Sequence, residues 1–129
     1  MKIVHDLPPN YKKIQEHFPG ADFDEGAVFT YGDTCYCKRP LTPDLYVHEQ
    51  VHTRQQKKPK KWWRKYFKSP KFRLEQETEA YQAQWEWVKN NVKDRNIRHK
   101  VRDSIALTLS GKLYGNIISY EEALQLLRK

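Results

Sequence analysis

The chain has 129 residues, of which 38% are hydrophobic and 13% aromatic, and a formal net charge of +8. That length and apolar content suit one compact domain over residues 1–129 with a modest core, and argue against two domains. No apolar run reaches membrane-spanning length, and Pro8 and Pro9 stand where a signal peptide needs its apolar stretch. The expectation is therefore a cytoplasmic protein with no membrane partner.

In chain order, residues 8–18 read as a short helix with Tyr11, Ile14 and Phe18 on one face, ended by Pro19-Gly20. Ala27 to Tyr31 and Thr34 to Cys37 are β-rich runs on either side of Gly32-Asp33, the pattern of a tight hairpin. Such a hairpin either supplies an edge strand for an extended peptide or only covers the helix that follows. Cys35 and Cys37 are two apart, which on a strand puts them on one face with poor geometry for bridging each other. They read as free, packed thiols, since a second pair that would complete a soft-metal site is missing.

Thr42-Pro43-Asp44 then supplies an N-cap, a proline at the first helical position and an acid at the positive dipole end. The helix it starts runs to about residue 56 and carries His48-Glu49-Gln50-Val51-His52. Residues four apart on a helix lie about 5–6 Å from each other at Cβ, so both imidazoles can reach one ion. Glu49 then points at a water on that ion, the arrangement of a zinc peptidase with its own base. In a chain of this composition HExxH arises by chance in about one case in a hundred. The competing reading is a polar helix face whose histidines are solvated or hydrogen-bonded to a partner.

From Lys57 to Arg73, nine of seventeen residues are Lys or Arg and none is acidic, so the rest of the chain is close to neutral. This is a local patch. Its aromatics Trp62, Trp63, Tyr66, Phe67 and Phe72 interleave with Lys57, Lys58, Lys60, Lys61, Arg64 and Lys65 in a way that suits single-stranded nucleic acid or an acidic protein. Their helical spacing, i, i+3 and i+4, more often marks a core face under solvated, snorkelling cations.

The next helix, over residues 72–92, has an inward stripe of Leu74, Glu77, Thr78, Tyr81, Trp85, Val88 and Val92. Of its first three glutamates, only Glu77 falls on that stripe; Glu75 and Glu79 face another way. A carboxylate inside an apolar face needs a cation, which makes Glu77 the third metal ligand unless an Arg or Lys pairs with it. Asp94 caps a further helix with Ile97, Val101, Ile105 and Leu109 spaced for burial, and Ser119 with Glu122 forms the capping box of a last one presenting Ala123, Leu124 and Leu127. His99 and Tyr81, with Tyr66 and Tyr114, are candidates for stabilising a developing oxyanion.

HExxH followed by Glu77-Thr78-Glu79-Ala80 on a second helix resembles the gluzincin metallopeptidases, in which two histidines and that glutamate hold zinc. Members often carry Asp or Asn four residues after the glutamate, supporting a ligand histidine, where this chain has Tyr81. The chain is also similar over most of its length to small phage and prophage proteins, through stretches such as Asp6 to Pro9, His48 to Gln55, Trp62 to Tyr66 and Glu77 to Tyr81. The resemblance implies a small zincin-like α+β domain, mostly helical with the hairpin before the HExxH helix. It also implies a Zn²⁺ cofactor on His48, His52 and Glu77, with Glu49 as base in peptide hydrolysis. The alternative is a catalytically silent, zinc-stabilised protein that binds nucleic acid or an acidic partner through residues 57–73.

Overall fold

The computed structural model describes residues 1–128. The fold is α+β and mostly helical: β1 (Lys2–Val4), α1 (Tyr11–His17), β2 (Phe29–Tyr31), β3 (Thr34–Tyr36), α2 (Pro43–Gln55), α3 (Pro59–Lys68), α4 (Pro70–Asn91), α5 (Arg95–Leu109), a 3-10 turn at Lys112–Tyr114, and α6 (Tyr120–Leu127). The expected hairpin precedes the HExxH helix. Gly32 takes a positive φ of 65° at the first turn position, where a side chain would be strained.

The strand at residues 2–4 has no counterpart in the sequence reading. It pairs in parallel with β3 through Lys2↔Thr34, Ile3↔Cys35 and Val4↔Tyr36, giving the order β1-β3-β2. Three residues are too few to show an alternation. β2 is left at a sheet edge, facing α2.

Two prolines divide the basic stretch into helices. Pro59 opens α3 and Pro70 opens α4, two residues earlier than the aromatic pattern suggests, with the Ser69 hydroxyl accepting from Phe72 N at 3.1 Å. Asp94 and Ser119 cap α5 and α6 as expected, the latter with its complete box. Cys35 and Cys37 are buried free thiols. Among the described residues, no helix is long and apolar enough to cross a membrane.

The core joins α1, α3, α4, α5 and α6 through Ile14, the α3 aromatics, Ile105, Leu109 and Leu127. The expected stripe on α5 is only half right: Ile105 and Leu109 are buried, whereas Ile97 is 50% exposed. Deleting a fully buried leucine side chain leaves a cavity, so Leu109→Ala should cost about 2–5 kcal/mol in denaturant unfolding, against less than about 1 kcal/mol for Ile97→Ala. Equal losses would place the first turn of α5 inside the core.

Candidate metal centre

The strongest helix pairing in the molecule is between α2 and α4, and the site lies on that seam. One turn of α2 separates His48 from His52, and both rings lean onto Glu77 of α4. His48 Nε2 lies 3.2 Å from Glu77 Oε1, and His52 Nε2 lies 3.2 Å from the same oxygen. The two Nε2 atoms are themselves 3.2 Å apart. All three residues are buried, and together they form a group able to hold a metal ion.

The surrounding amides fix which ring nitrogen faces inward. Gln84 donates through Nε2 to Asp44 Oδ2 at 2.8 Å, so its carbonyl oxygen faces His48 Nδ1 at 3.1 Å. Gln55 donates to Gln76 O at 3.1 Å and to Glu79 Oε1 at 2.7 Å, so its carbonyl faces His52 Nδ1 at 2.8 Å. Each Nδ1 must therefore carry the proton and donate it. On neutral rings, both Nε2 lone pairs then converge on a carboxylate lone pair. Nothing among the three can then donate, so the triangle is one that a shared cation can satisfy. Ligands about 2.0–2.1 Å from a tetrahedral ion lie about 3.3–3.4 Å apart, close to the observed separations.

A proton on His52 Nε2 can take the place of a metal by donating to Glu77. Burial alone would lower the pKa of His52, but Glu77, with help from Glu49 and the Gln55 carbonyl, raises it to about 9. Burial would likewise raise the pKa of Glu77, yet His52 and His48 hold its carboxyl well below the usual carboxylate range. One proton satisfies only the His52–Glu77 edge of the triangle.

The walls are aromatic. Tyr66 of α3 donates its hydroxyl to Glu77 Oε2 at 2.6 Å, which directs Oε1 at the histidines. Trp62 stacks on Tyr66 with centroids 4.8 Å apart, and Tyr81 meets the His48 ring edge-on at 4.3 Å. Burial, reinforced by Glu77, keeps the hydroxyls of Tyr66, Tyr81 and Tyr114 protonated. Glu49 is also buried. Thr30 Oγ1 donates to its Oε1 at 3.0 Å, and its Oε2 lies 3.8 Å from His48 Nε2.

Thr30 locks the hairpin to this arrangement. Its carbonyl accepts from Gln56 Nε2 at 3.0 Å and Trp63 Nε1 at 3.2 Å, while Gln56 Oε1 accepts from Gly32 N at 2.8 Å. The edge strand is thus closed at Thr30, where a peptide would otherwise pair. The preceding residues 26–28 still line an open cleft of about 310 Å³, which reaches His48, Glu49, His52 and Glu77 and is walled opposite by Ile105, Leu113 and Tyr114.

His48, Glu49, His52 and Glu77 therefore meet as expected, and Tyr81 lies beside them. His99 does not: it lies in the exposed first part of α5, as Ile97 does, and does not line the cleft. Cys35 and Cys37 are outside the group, their thiol pKa values raised chiefly by burial. In the basic stretch Trp62, Trp63 and Tyr66 are buried, while Lys57, Lys58, Lys60, Lys61, Arg64 and Lys65 are exposed. Arg73 is buried as well, donating to Tyr66 O and to Tyr114 O at 2.6 and 2.9 Å.

The sequence reading missed Gln84 and Gln55. The stripe that α4 buries is Arg73, Glu77, Ala80, Tyr81, Gln84 and Val88, with Leu74, Thr78 and Trp85 only half-buried. Gln84 lies two turns after Glu77 on that face, and a polar residue there was the available signal. Tyr81, at the position where gluzincins often carry Asp or Asn, instead shares a 2.8 Å hydroxyl contact with Tyr114.

No family model, curated protein or solved structure matches this chain.

Two outcomes follow for metal binding. Glu77→Ala should abolish tight zinc binding in a chelator competition, Gln84→Leu should weaken it about 10–100-fold, and Glu75→Ala should leave it unchanged. If Glu75→Ala were as damaging as Glu77→Ala, the assignment would fail. Binding must also displace the His52 proton. Protonated His52 stabilises metal-stripped protein fully below its ordinary pKa of about 6.5, a contribution lost as pH rises through about 9. Apparent zinc affinity should therefore climb by about tenfold per pH unit across that window and level off above it.

Proposed function

We propose that this protein is a zinc-dependent metallopeptidase of the gluzincin type, with His48, His52 and Glu77 as metal ligands and Glu49 as general base. Glu49 is the observation that carries the reading. A purely structural zinc site closes itself with four protein ligands and has no use for a buried carboxylate beside them. Here three ligands converge, and Glu49 stands next to them at the floor of an open cleft.

When bound, zinc would supply a Lewis acid that polarises the peptide carbonyl and makes a water acidic at neutral pH. Glu49, oriented by Thr30, would take the proton of the attacking water and return it to the leaving nitrogen as the C–N bond breaks. Tyr66 would hold Glu77 in place by binding its outer oxygen. In the Tyr81–Tyr114 pair one hydroxyl donates to the other, which leaves the second proton free for a developing oxyanion. Residues 26–28, just before β2, line the cleft outside the Gln56 and Trp63 clamp on Thr30, so a substrate chain would run beside them. Two buried free thiols fit a reducing compartment such as the cytoplasm.

The alternative of a silent, polyanion-binding protein draws support from the exposed cations Lys57 to Lys65 and the half-buried Phe67 and Phe72, but Trp62, Trp63 and Tyr66, the larger part of the expected stacking platform, are buried in the cleft wall. On this reading, single-stranded DNA should show no tight binding in fluorescence anisotropy at physiological ionic strength. Tight binding, with a log-log salt slope of about 0.7 per phosphate neutralised, would promote the alternative.

Glu49→Gln preserves shape while removing the base. It should retain zinc and the thermal midpoint of the parent yet lose at least about 100-fold in hydrolysis of a casein or mixed-peptide substrate. Equal cleavage by variant and parent would reject Glu49 as the base.

A further inference from the structure

We propose that a second pocket, between the C-terminal end of α1, α3 and the 3-10 turn, binds a phosphate-type oxyanion through Arg73, His17 and Lys112. The proposal is independent of the peptidase reading. Phe18 lines both this pocket and the metal cleft.

Arg73 is the anchor. It is only 6% exposed, and no carboxylate lies within ion-pair distance of it among the described residues. Part of its role is structural. Residue 70 is proline and has no N–H, so the Tyr66 carbonyl has no helical donor four residues on; Arg73 Nη1 supplies one at 2.6 Å, and Nε donates to Tyr114 O at 2.9 Å. These bonds hold the guanidinium over the Phe18 and Tyr66 rings, 5.0 and 5.7 Å from their centroids. They leave Nη2 with no protein partner among the described residues, bordering the pocket and open to solvent from that side. The remainder of the side chain is buried with no carboxylate beside it, so an anion entering from the pocket would meet a positioned and unneutralised guanidinium.

The rest of the pocket is built for the same ligand. His17 is stacked on Phe67 at 4.4 Å and 13°, which fixes its ring at the pocket wall, and Lys112 lies on the same wall. Among the described residues no acidic side chain lines the pocket. Gly115 takes φ +90°, and a Cβ there would come within 3.3 Å of Arg73 Nη2, so glycine keeps the space beside that nitrogen open. The chemistry favours a tetrahedral dianion over a carboxylate. Three cationic or cationisable side chains, Arg73, His17 and Lys112, border the pocket, so two negative charges match it better than one, and the oxygens of a tetrahedral group spread toward donors that lie on different elements.

The test is an NMR titration of the full chain, reading the Arg73 Nε–H and His17 ring resonances at constant ionic strength. The probes are inorganic phosphate, glycerol 3-phosphate as a monoester, and acetate. Saturable shifts with phosphate are expected at both residues; if the monoester gives them too, the pocket takes an esterified phosphate, and if it does not, the free ion. Because His17 and Lys112 are exposed, the double variant His17→Ala, Lys112→Ala should keep its circular dichroism spectrum and bind phosphate about tenfold more weakly. No saturable shift, acetate binding as tightly as phosphate, or undiminished binding by the double variant would each overturn the proposal.

Discussion

The structure turns on a carboxylate that has been taken out of water. Glu77 sits in the seam between α2 and α4, with one oxygen against two imidazoles and the other against a phenol. An uncompensated charge there would cost several kcal/mol, so everything around it is arranged to compensate it. Two glutamine carbonyls fix both histidine tautomers so that their lone pairs face the carboxylate, and the resulting triangle is one that a shared cation can satisfy. The aromatic face of α3 seals the site from one side. The Gln56 clamp on Thr30 brings the hairpin to the other, where the Thr30 hydroxyl orients Glu49 of α2.

This arrangement gives the basic stretch its role. Trp62, Trp63 and Tyr66 look like a stacking platform when read with the lysines around them, but they serve as the site's wall and as a donor to Glu77. Their helical spacing was the better guide than their charge context. Arg73 departs further from the patch reading, because the missing N–H of Pro70 draws it into the interior, to a carbonyl only a long donor can reach.

Much of the site was legible before any coordinates. HExxH has a geometric meaning on any helix, and Glu77 separated from Glu75 and Glu79 because burial follows the 3.6-residue period; it is 4% exposed, and they are exposed. The caps at Asp94 and Ser119 were local signals and formed as such. What was hidden depends on long-range partners. Gln84 meets Asp44 and His48 across 40 and 36 residues, Gln55 reaches α4 from the end of α2, and β1 is a strand only because β3 lies beside it. The expected stripe on α4 was displaced toward Arg73, Ala80 and Gln84 because that helix packs against several neighbours at once and buries a broader face than a single seam would.

The distinction that matters for function is between three protein ligands and four. Elemental analysis combined with X-ray absorption at the zinc edge, on protein reconstituted with Zn²⁺, tests it most directly. The account predicts one zinc per chain, bound by two imidazole nitrogens, one carboxylate oxygen and one further light atom from solvent. No bound metal, a sulfur ligand, or a shell closed by four protein side chains would contradict it.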